Sequence, residues 1–355
     1  MSFGTYAQDD QVLSSDAIIT PMWSNNVTVL DTYYTSSTQE QTNTGKYFLG
    51  VYQSDLQVSA SAEEQFAIAY GHISGSGSVY YNPLIPGATP TRNIYSQFRS
   101  LIYGDENAAF TFGTSTNESK DIIVISVDRA RFKESFNPGS FFLKLRSGSY
   151  SIGLVDDSTV TTTSTYIGTS RVYQILSGSY SPSSNLTTPS SSNYTVSGSY
   201  GMIIPDEGLI ILNPRALALA GNTPLGGVGA IFNEQDSTTL TTFFQSNTQY
   251  SPNNRMIFNM IQNAPTFSLQ AYETLSSRYF FTRVKNAEFN YTTNPTIIDN
   301  NGNLLYTQLI YNPQTYITTV GMYNNAGDLL AVAKLNKPLV KDFTKELLLR
   351  VKLDF

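Results

Sequence analysis

The sequence predicts a mainly β, multi-domain protein of antiparallel sheets or a sandwich, with a few short helices. Tyr and Phe are abundant, with 24 and 20 residues, and Ser, Thr and Asn fill the connections between apolar runs. Charged residues form only 14% of the chain, far below the usual quarter. Because 355 residues exceed what one core usually supports, we expect two or three domains.

Residues 1–145 are predicted to form an N-terminal β-rich domain with one helix. The helix is expected at Thr91–Tyr103, because its apolar residues recur at helical spacing and Gly104 fits its end. Runs rich in β-branched and aromatic residues predict the strands, which are expected at 26–34, 46–53, 62–73, 78–81, 121–131 and 141–145.

The middle of the chain is predicted to contain two further segments. Residues 146–200 are nearly free of charge and are expected to form a Ser/Thr/Tyr-rich β excursion. The tetrapeptide Ser-Gly-Ser-Tyr recurs there at unequal intervals, which favours similar turns over a solenoid. Residues 201–265 are expected to be mixed, with two short strands around Pro205–Gly208. Short helices are predicted at 213–221, 236–245 and 254–261.

Residues 266–355 are predicted to form a C-terminal β module. Strands are expected at 266–275 and 278–291, followed by a hairpin with strands at 316–323 and 329–335. Pro338 is expected to end the second hairpin strand.

The final strand, predicted at 346–355, alternates apolar and polar residues. Five apolar side chains therefore share one face, and we predict that they contact another subunit: Leu347, Leu349, Val351, Leu353 and Phe355. The alternative is that this face is the core of its own domain.

Several classes of partner and cofactor are disfavoured. The net charge is −6 without a long basic run, so nucleic acid is not expected as a partner. Cysteine is absent and His72 is the single histidine, so we expect no metal and no cofactor. The longest apolar run, Ile122–Val127, is too short to span a membrane. The N-terminal residues do not resemble a signal peptide, which predicts synthesis and assembly in a cytoplasm.

Adjacent carboxylates are the main candidates for catalysis. Asp156–Asp157, Glu63–Glu64 and Asp105–Glu106 are neighbours in sequence, and neighbours on a strand point to opposite faces. No such pair can flank one glycosidic bond by itself. We therefore predict that the chain is not an enzyme, while a polysaccharide-cleaving activity built from carboxylates distant in sequence stays open.

The C-terminal text resembles known virion proteins. It is carried by Asn312–Asn325 (NPQTYITTVGMYNN), Asp328–Leu335 (DLLAVAKL) and Val351–Phe355 (VKLDF). These strings are similar to structural proteins of contractile-tailed (myovirus-type) bacteriophages, especially baseplate-region proteins of phages that infect cyanobacteria. Ser100–Thr111, Ser126–Lys133 and Asn286–Asn294 share the resemblance.

The resemblance implies a building block of a virion. The expected function is a structural component of the tail, in the baseplate, that acts through contacts with other tail subunits and with tail fibres, in several copies per particle. The strings contain strands and turns and no catalytic motif, so no functional residue is carried over. Two alternatives stay open. One is a receptor-binding or fibre-attachment protein whose residues 146–200 recognise a host surface glycan, and the other is a head decoration protein.

Overall fold

The chain forms two compact units. A computed structural model describes residues 7–35, 47–78, 89–114, 116, 118–161, 165–190, 194–221, 226–230, 232, 252–292 and 294–354. The central unit is Ile18–Glu273, and the terminal unit combines Met1–Ala17 with Thr274–Phe355. Both are mainly β, as predicted. The grouping differs from the four expected segments, because strands from all four of them share one sheet.

The helices and strands of the described residues have the following bounds. The helices are α1 Pro90–Tyr103, α2 Pro214–Ala218, α3 Pro252–Gln262 and α4 Thr307–Tyr311, with 3₁₀ turns at Gln8–Asp10, Ser24–Asn26 and Arg129–Arg131. The strands are β1 Gln11–Pro21, β2 Val29–Leu30, β3 Leu49–Tyr52, β4 Glu64–His72, β5 Asp121–Val127, β6 Ser135–Phe136, β7 Phe142–Ser147, β8 Tyr150–Asp156, β9 Thr165–Ile167, β10 Ser170–Ser181, β11 Leu186–Pro189, β12 Gly201–Ile204, β13 Leu209–Leu212, β14 Phe267–Ser268, β15 Gln270–Val284, β16 Thr315–Tyr323, β17 Leu329–Lys341 and β18 Leu347–Asp354.

One large curled sheet organises the central unit. Its strand order is β2-β14-β7-β8-β10-β12-β13-β5-β4-β3, and β9 and β11 pair with β10. The strands of residues 146–200 thus lie inside the sheet and do not form an excursion. The reason is that the strands of this segment carry buried apolar residues, including Leu154, Val172 and Ile175, which belong to the clusters on the two faces of the sheet.

Strand β5 lies in the interior of this sheet, between β13 and β4. Its alternate side chains enter two different apolar clusters. Ile123 and Ile125 belong to a cluster that includes residues of α3, while Ile122 and Val124 belong to a cluster that includes residues of α1. Both faces of the sheet are therefore covered, which explains why β5 is a nearly continuous apolar run.

Helix α1 confirms the predicted helix and begins one residue earlier, at Pro90. Gly104 ends it in the left-handed conformation, with φ of 67°, and donates its N–H to the carbonyl of Ser100. The helix contacts β4 closely at Gly71. A Cβ atom at Gly71 would lie 2.8 Å from the backbone nitrogen of Tyr95, so this contact requires glycine.

The other predicted helices have different outcomes. Helix α2 is capped by Asn213, whose side chain accepts a hydrogen bond from Arg215 N–H, as its sequence suggests. Helix α3 confirms the helix expected at 254–261. The helix expected at 236–245 lies outside the described residues. Helix α4 was not predicted. The strands expected at 266–275 and 278–291 are instead the short strand β14 and one long strand, β15, which ends at Val284.

Trp23 and Phe267 hold one end of the large sheet together. Their ring centroids lie 4.8 Å apart, and Trp23 Nε1 donates a hydrogen bond of 3.0 Å to the carbonyl of Phe267. The Phe267 ring also meets Phe66 and Phe141 edge to face, at 5.3 and 6.1 Å. These contacts join residues 244 positions apart in the chain, so the core depends on them.

We predict that Phe267→Ala destabilises the central unit by about 3–5 kcal/mol, because it leaves a cavity in a fully buried aromatic cluster. Trp23 is the single tryptophan, so its fluorescence during urea denaturation reports this unit. Tyr166→Ala is the control, since the Tyr166 side chain is 62% exposed and its loss should leave the midpoint nearly unchanged. Equal midpoints for the two variants would contradict the prediction.

Candidate functional site

The candidate site is the hairpin formed by β16 and β17, here called the hairpin arm (residues 315–341). It is a two-stranded sheet of its own, apart from the sheet of β1, β15 and β18 in the same unit. An isolated two-stranded hairpin is at best marginally stable in water. The arm therefore needs either strong local stabilisation or a binding partner.

The turn of the hairpin arm is stabilised locally, as its sequence predicts. Asp328 N–H donates to Asn324 Oδ1 at 2.8 Å, and Asn324 Nδ2 donates to Asp328 Oδ2 at 2.9 Å. Asn324 N–H also donates to the carbonyl of Asp328 at 3.0 Å. Gly327 adopts φ of 86°, a conformation that favours glycine. This turn fixes the register of the two strands.

The two faces of the hairpin arm differ in exposure. One face contains Val320 and Met322, which pair with Ala333 and Ala331 and are partly or fully buried. The opposite face and the adjoining bulge expose four apolar side chains, here called the apolar tip: Tyr323 (44%), Leu329 (52%), Leu330 (69%) and Val332 (56%).

Packing within the apolar tip is already organised. Tyr323 is opposite Leu329, and the pair Met322–Ala331 comes next, so Leu330 is the extra residue of a bulge. A Cβ atom at Gly321 would lie 3.0 Å from the Tyr323 ring and 3.4 Å from Leu329 Cδ1. The ring therefore lies over Gly321 and against Leu329. The tip presents a preformed apolar surface, which reduces the entropy lost on binding.

Pro338 does not end the second strand, contrary to expectation, because β17 continues to Lys341. The pairing is instead irregular at this place. Thr319 is opposite Lys334 and Ile317 is opposite Leu339, so residues 335–338 lie across from Thr318. A bulge accommodates proline because the residue donates no ladder hydrogen bond there.

The predicted final strand exists as β18, which pairs with residues 277–284 of β15. Leu349 and Val351 are each only 6% exposed, and Leu347 and Leu353 are partly exposed. Phe355 lies outside the described residues. The chain itself covers the middle of this face, which favours the alternative that the face belongs to its own core. Subunit contact through these residues stays a prediction.

A second exposed apolar group, missed by the sequence reasoning, lies at α4 in the terminal unit. Its members are Leu305 (55%), Tyr306 (57%), Ile310 (56%) and Tyr311 (91%). The density of tyrosine in this text was a signal, but exposure of a tyrosine cannot be read from sequence alone. The terminal unit thus exposes apolar residues at α4 as well as at the apolar tip.

The adjacent carboxylates considered as catalytic candidates form hydrogen bonds and ion pairs within the fold. Asp156 is almost fully buried and accepts hydrogen bonds from Gly139 N–H, Phe141 N–H and Ser158. Burial raises the pKa of Asp156, while these hydrogen bonds oppose the rise. Asp157 accepts from Thr161 and from Gln174 N–H, so the two neighbours hold different segments.

The other two acidic pairs also have local partners. Glu63 pairs with Arg131 at 2.8 Å and accepts from Ser24 Oγ at 2.6 Å. Burial raises the pKa of Glu64, its neighbour. Asp105 accepts a hydrogen bond from Asn107 N–H. These contacts orient the carboxylates within turns and ion pairs.

His72 lies at the end of β4, as expected, and is 5% exposed. Its Nδ1 is 2.9 Å from Ser74 Oγ and accepts from Ser74 N–H at 3.2 Å. Within the described ranges, no three His, Cys, Asp or Glu side chains are grouped as metal ligands would be. The helices of this part of the chain include none that is long and apolar enough to cross a membrane.

Known proteins do not place the chain in a family. No family model, curated protein or solved structure matches it.

The turn between β17 and β18 provides a test of local electrostatics. Lys345, 2.8 Å away, and Thr344, which donates N–H and Oγ1 hydrogen bonds, lower the pKa of Asp342 to about 2. Because this pKa is lower in the folded than in the unfolded chain, the turn is stabilised above about pH 4 and loses that stabilisation as pH falls toward 2.

We therefore expect the Thr344 amide proton resonance to titrate with a midpoint near pH 2. Asp342→Asn should abolish this transition while keeping a hydrogen-bond acceptor at the same place. A midpoint near the ordinary value of about 4 in the unmodified chain would contradict the assignment.

Proposed function

We propose that this chain is a non-enzymatic structural component of a contractile phage tail, in the baseplate, and that the hairpin arm docks it onto another tail subunit. The observation that carries the proposal is the apolar tip, since four apolar side chains are exposed at the end of a two-stranded arm. The same residues carry the resemblance to baseplate proteins. The protein would be present in several copies in the virion after assembly in the host cytoplasm.

Docking of the arm has a clear physical benefit. Each square ångström of apolar surface removed from water contributes about 25 cal/mol, and burial against a partner would also support a hairpin that is marginal by itself. Folding of the arm and assembly would then be coupled. Tyrosine is enriched at interfaces, and the buried centre of an interface is more apolar than its rim.

The charge around the tip indicates the kind of partner. Lys334 and Lys337 are exposed on the arm, and Asp328 lies in its turn. From residue 274 onward, Lys and Arg outnumber Asp and Glu, although the whole chain has a net charge of −6. A partner with an apolar centre and an acidic rim would complement this surface.

A second mode of contact is available at β1. It is the edge strand of the sheet β1-β15-β18, and its residues Val12 and Leu13 are 49% and 70% exposed. Edge strands that lack bulges, lysines or proline along their length readily pair with a strand of another chain. β1 carries Pro21 only at its last position.

The decisive experiment changes the apolar tip in the phage. We expect the double variant Leu330→Ser with Val332→Ser to enter particles at least tenfold less than the unmodified chain, because truncating interface anchors typically costs more than 1 kcal/mol each and about 1.4 kcal/mol is a factor of ten. The purified variant should unfold at an unchanged denaturant concentration, since both side chains are exposed. Particle content is measured by mass spectrometry of purified virions.

The matched control is Leu186→Ser with Val58→Ser, which changes the same residue types in the central unit, at 61% and 85% exposure. This control should enter particles normally. Normal incorporation of the tip variant would refute docking by the arm. Binding of the isolated protein to host cells, unaffected by the tip variant, would instead favour the receptor-binding alternative.

A further inference from the structure

The side chain of Lys341, the last residue of β17, is completely buried at the base of the hairpin arm. Buried lysines are rare unless an acidic side chain pairs with them. Lys341 Nζ instead donates to three neutral oxygens: the carbonyls of Asn286 and Asp342, at 2.9 and 2.8 Å, and Asn290 Oδ1 at 2.8 Å. None of the salt bridges between described residues includes Lys341.

The carboxamide of Asn290 is held in one orientation against this lysine. It is 8% exposed, and its Nδ2 donates a 2.6 Å hydrogen bond to the carbonyl of Asn286. The amide oxygen therefore points at Lys341 Nζ, and the amide nitrogen points elsewhere. Since a C=O bond is about 1.2 Å long, Asn290 Cγ lies within about 4 Å of the lysine nitrogen.

We propose that Lys341 and Asn290 become joined by a covalent isopeptide bond within the terminal unit. Lys341 Nζ first gives up a proton to free its lone pair and then attacks Asn290 Cγ. A new C–N bond forms, the bond from Cγ to Nδ2 breaks, and the protons lost by Nζ end on the departing Nδ2. Nδ2 departs as ammonia, or as ammonium when the lysine begins protonated, so all atoms and charges balance. One amide replaces another, and no oxidant, metal or nucleotide takes part.

Proximity supplies the driving advantage. Well-oriented groups about 3–3.5 Å apart in one molecule react as if present at about 10⁵ M or more, and a small shift of Lys341 Nζ from the amide oxygen toward Asn290 Cγ would bring the pair to that distance. The described contacts of the pair include no carboxyl group that would act as a general acid, because the Asp342 carboxylate faces Thr344 and Lys345. The linkage should therefore accumulate slowly after folding. Burial keeps water from the Asn290 amide, which disfavours hydrolysis as a competing reaction.

The bond would remove two weaknesses of this site. A lysine buried without an acidic partner is costly, and the amide product carries no charge. The link also closes a loop between residues 51 positions apart, which restricts the unfolded chain as a disulfide does. In a chain without cysteine, such a cross-link would persist in reducing and oxidising surroundings alike.

Tryptic mapping of the purified full-length chain, from the day of purification over several weeks, tests the proposal. Trypsin cleaves after Lys and Arg but not before Pro, so Asn290 lies in the fragment 286–334. An acylated Lys341 resists cleavage, so the product is 286–334 joined to 335–345, lighter by one ammonia than the two fragments together. We expect this species to grow with time, while the free fragments 335–341 and 342–345 decrease.

Two variants test whether Lys341 forms the cross-link, and one competing reaction must be distinguished from it. Lys341→Arg should eliminate the joined species, and Lys345→Arg should leave it unchanged. The mass of the intact chain alone does not identify the cross-link, because succinimide formation at Asn301–Gly302 also releases ammonia. Complete recovery of the free fragment 335–341 from the aged, unmodified chain, with no joined species, would overturn the proposal.

Discussion

The burial of β5 on both faces is the constraint on which the central unit depends. Its run of β-branched residues places alternate side chains in two separate clusters, so neither face can be left to water. One face needs α1, which approaches closely enough only because residue 71 is glycine. The other needs the aromatic cluster around Trp23 and Phe267 together with α3. The large sheet is stable because α1 covers one of its faces and the aromatic cluster with α3 covers the other.

Features set by neighbouring residues could be predicted from the sequence. Helix α1 follows from its spacing and its glycine stop, and the turn of the hairpin arm follows from Asn324, Gly327 and Asp328, which bond to each other. Features set by distant pairing could not. Neither the pairing of β1 with β15 nor the place of residues 146–200 inside the sheet has a local signal, because each depends on strands far away in the chain.

In the candidate surface too, the sequence predicts what neighbouring residues determine and does not predict what distant contacts determine. Alternation in β18 correctly predicts which side chains share a face, but it cannot tell whether a partner or the chain itself covers them. The structure buries Leu349 and Val351 within the chain and exposes the arm instead. Burial of Lys341 was also unpredictable, since lysine is normally exposed and two of its three acceptors, on Asn286 and Asn290, lie 55 and 51 positions away in the chain.

Polar and apolar groups play opposite parts in the terminal unit. At the base of the arm, the side chains of Lys341 and Asn290 are buried and hydrogen-bonded to each other. At the tip, tyrosine, leucine and valine side chains are exposed. An exposed apolar surface is the arrangement expected where another molecule binds. The base of the arm is fixed by polar contacts, and its tip exposes apolar side chains. This arrangement fits the proposal that another molecule binds the tip. The base would then set the direction of the arm, and the tip would select the partner.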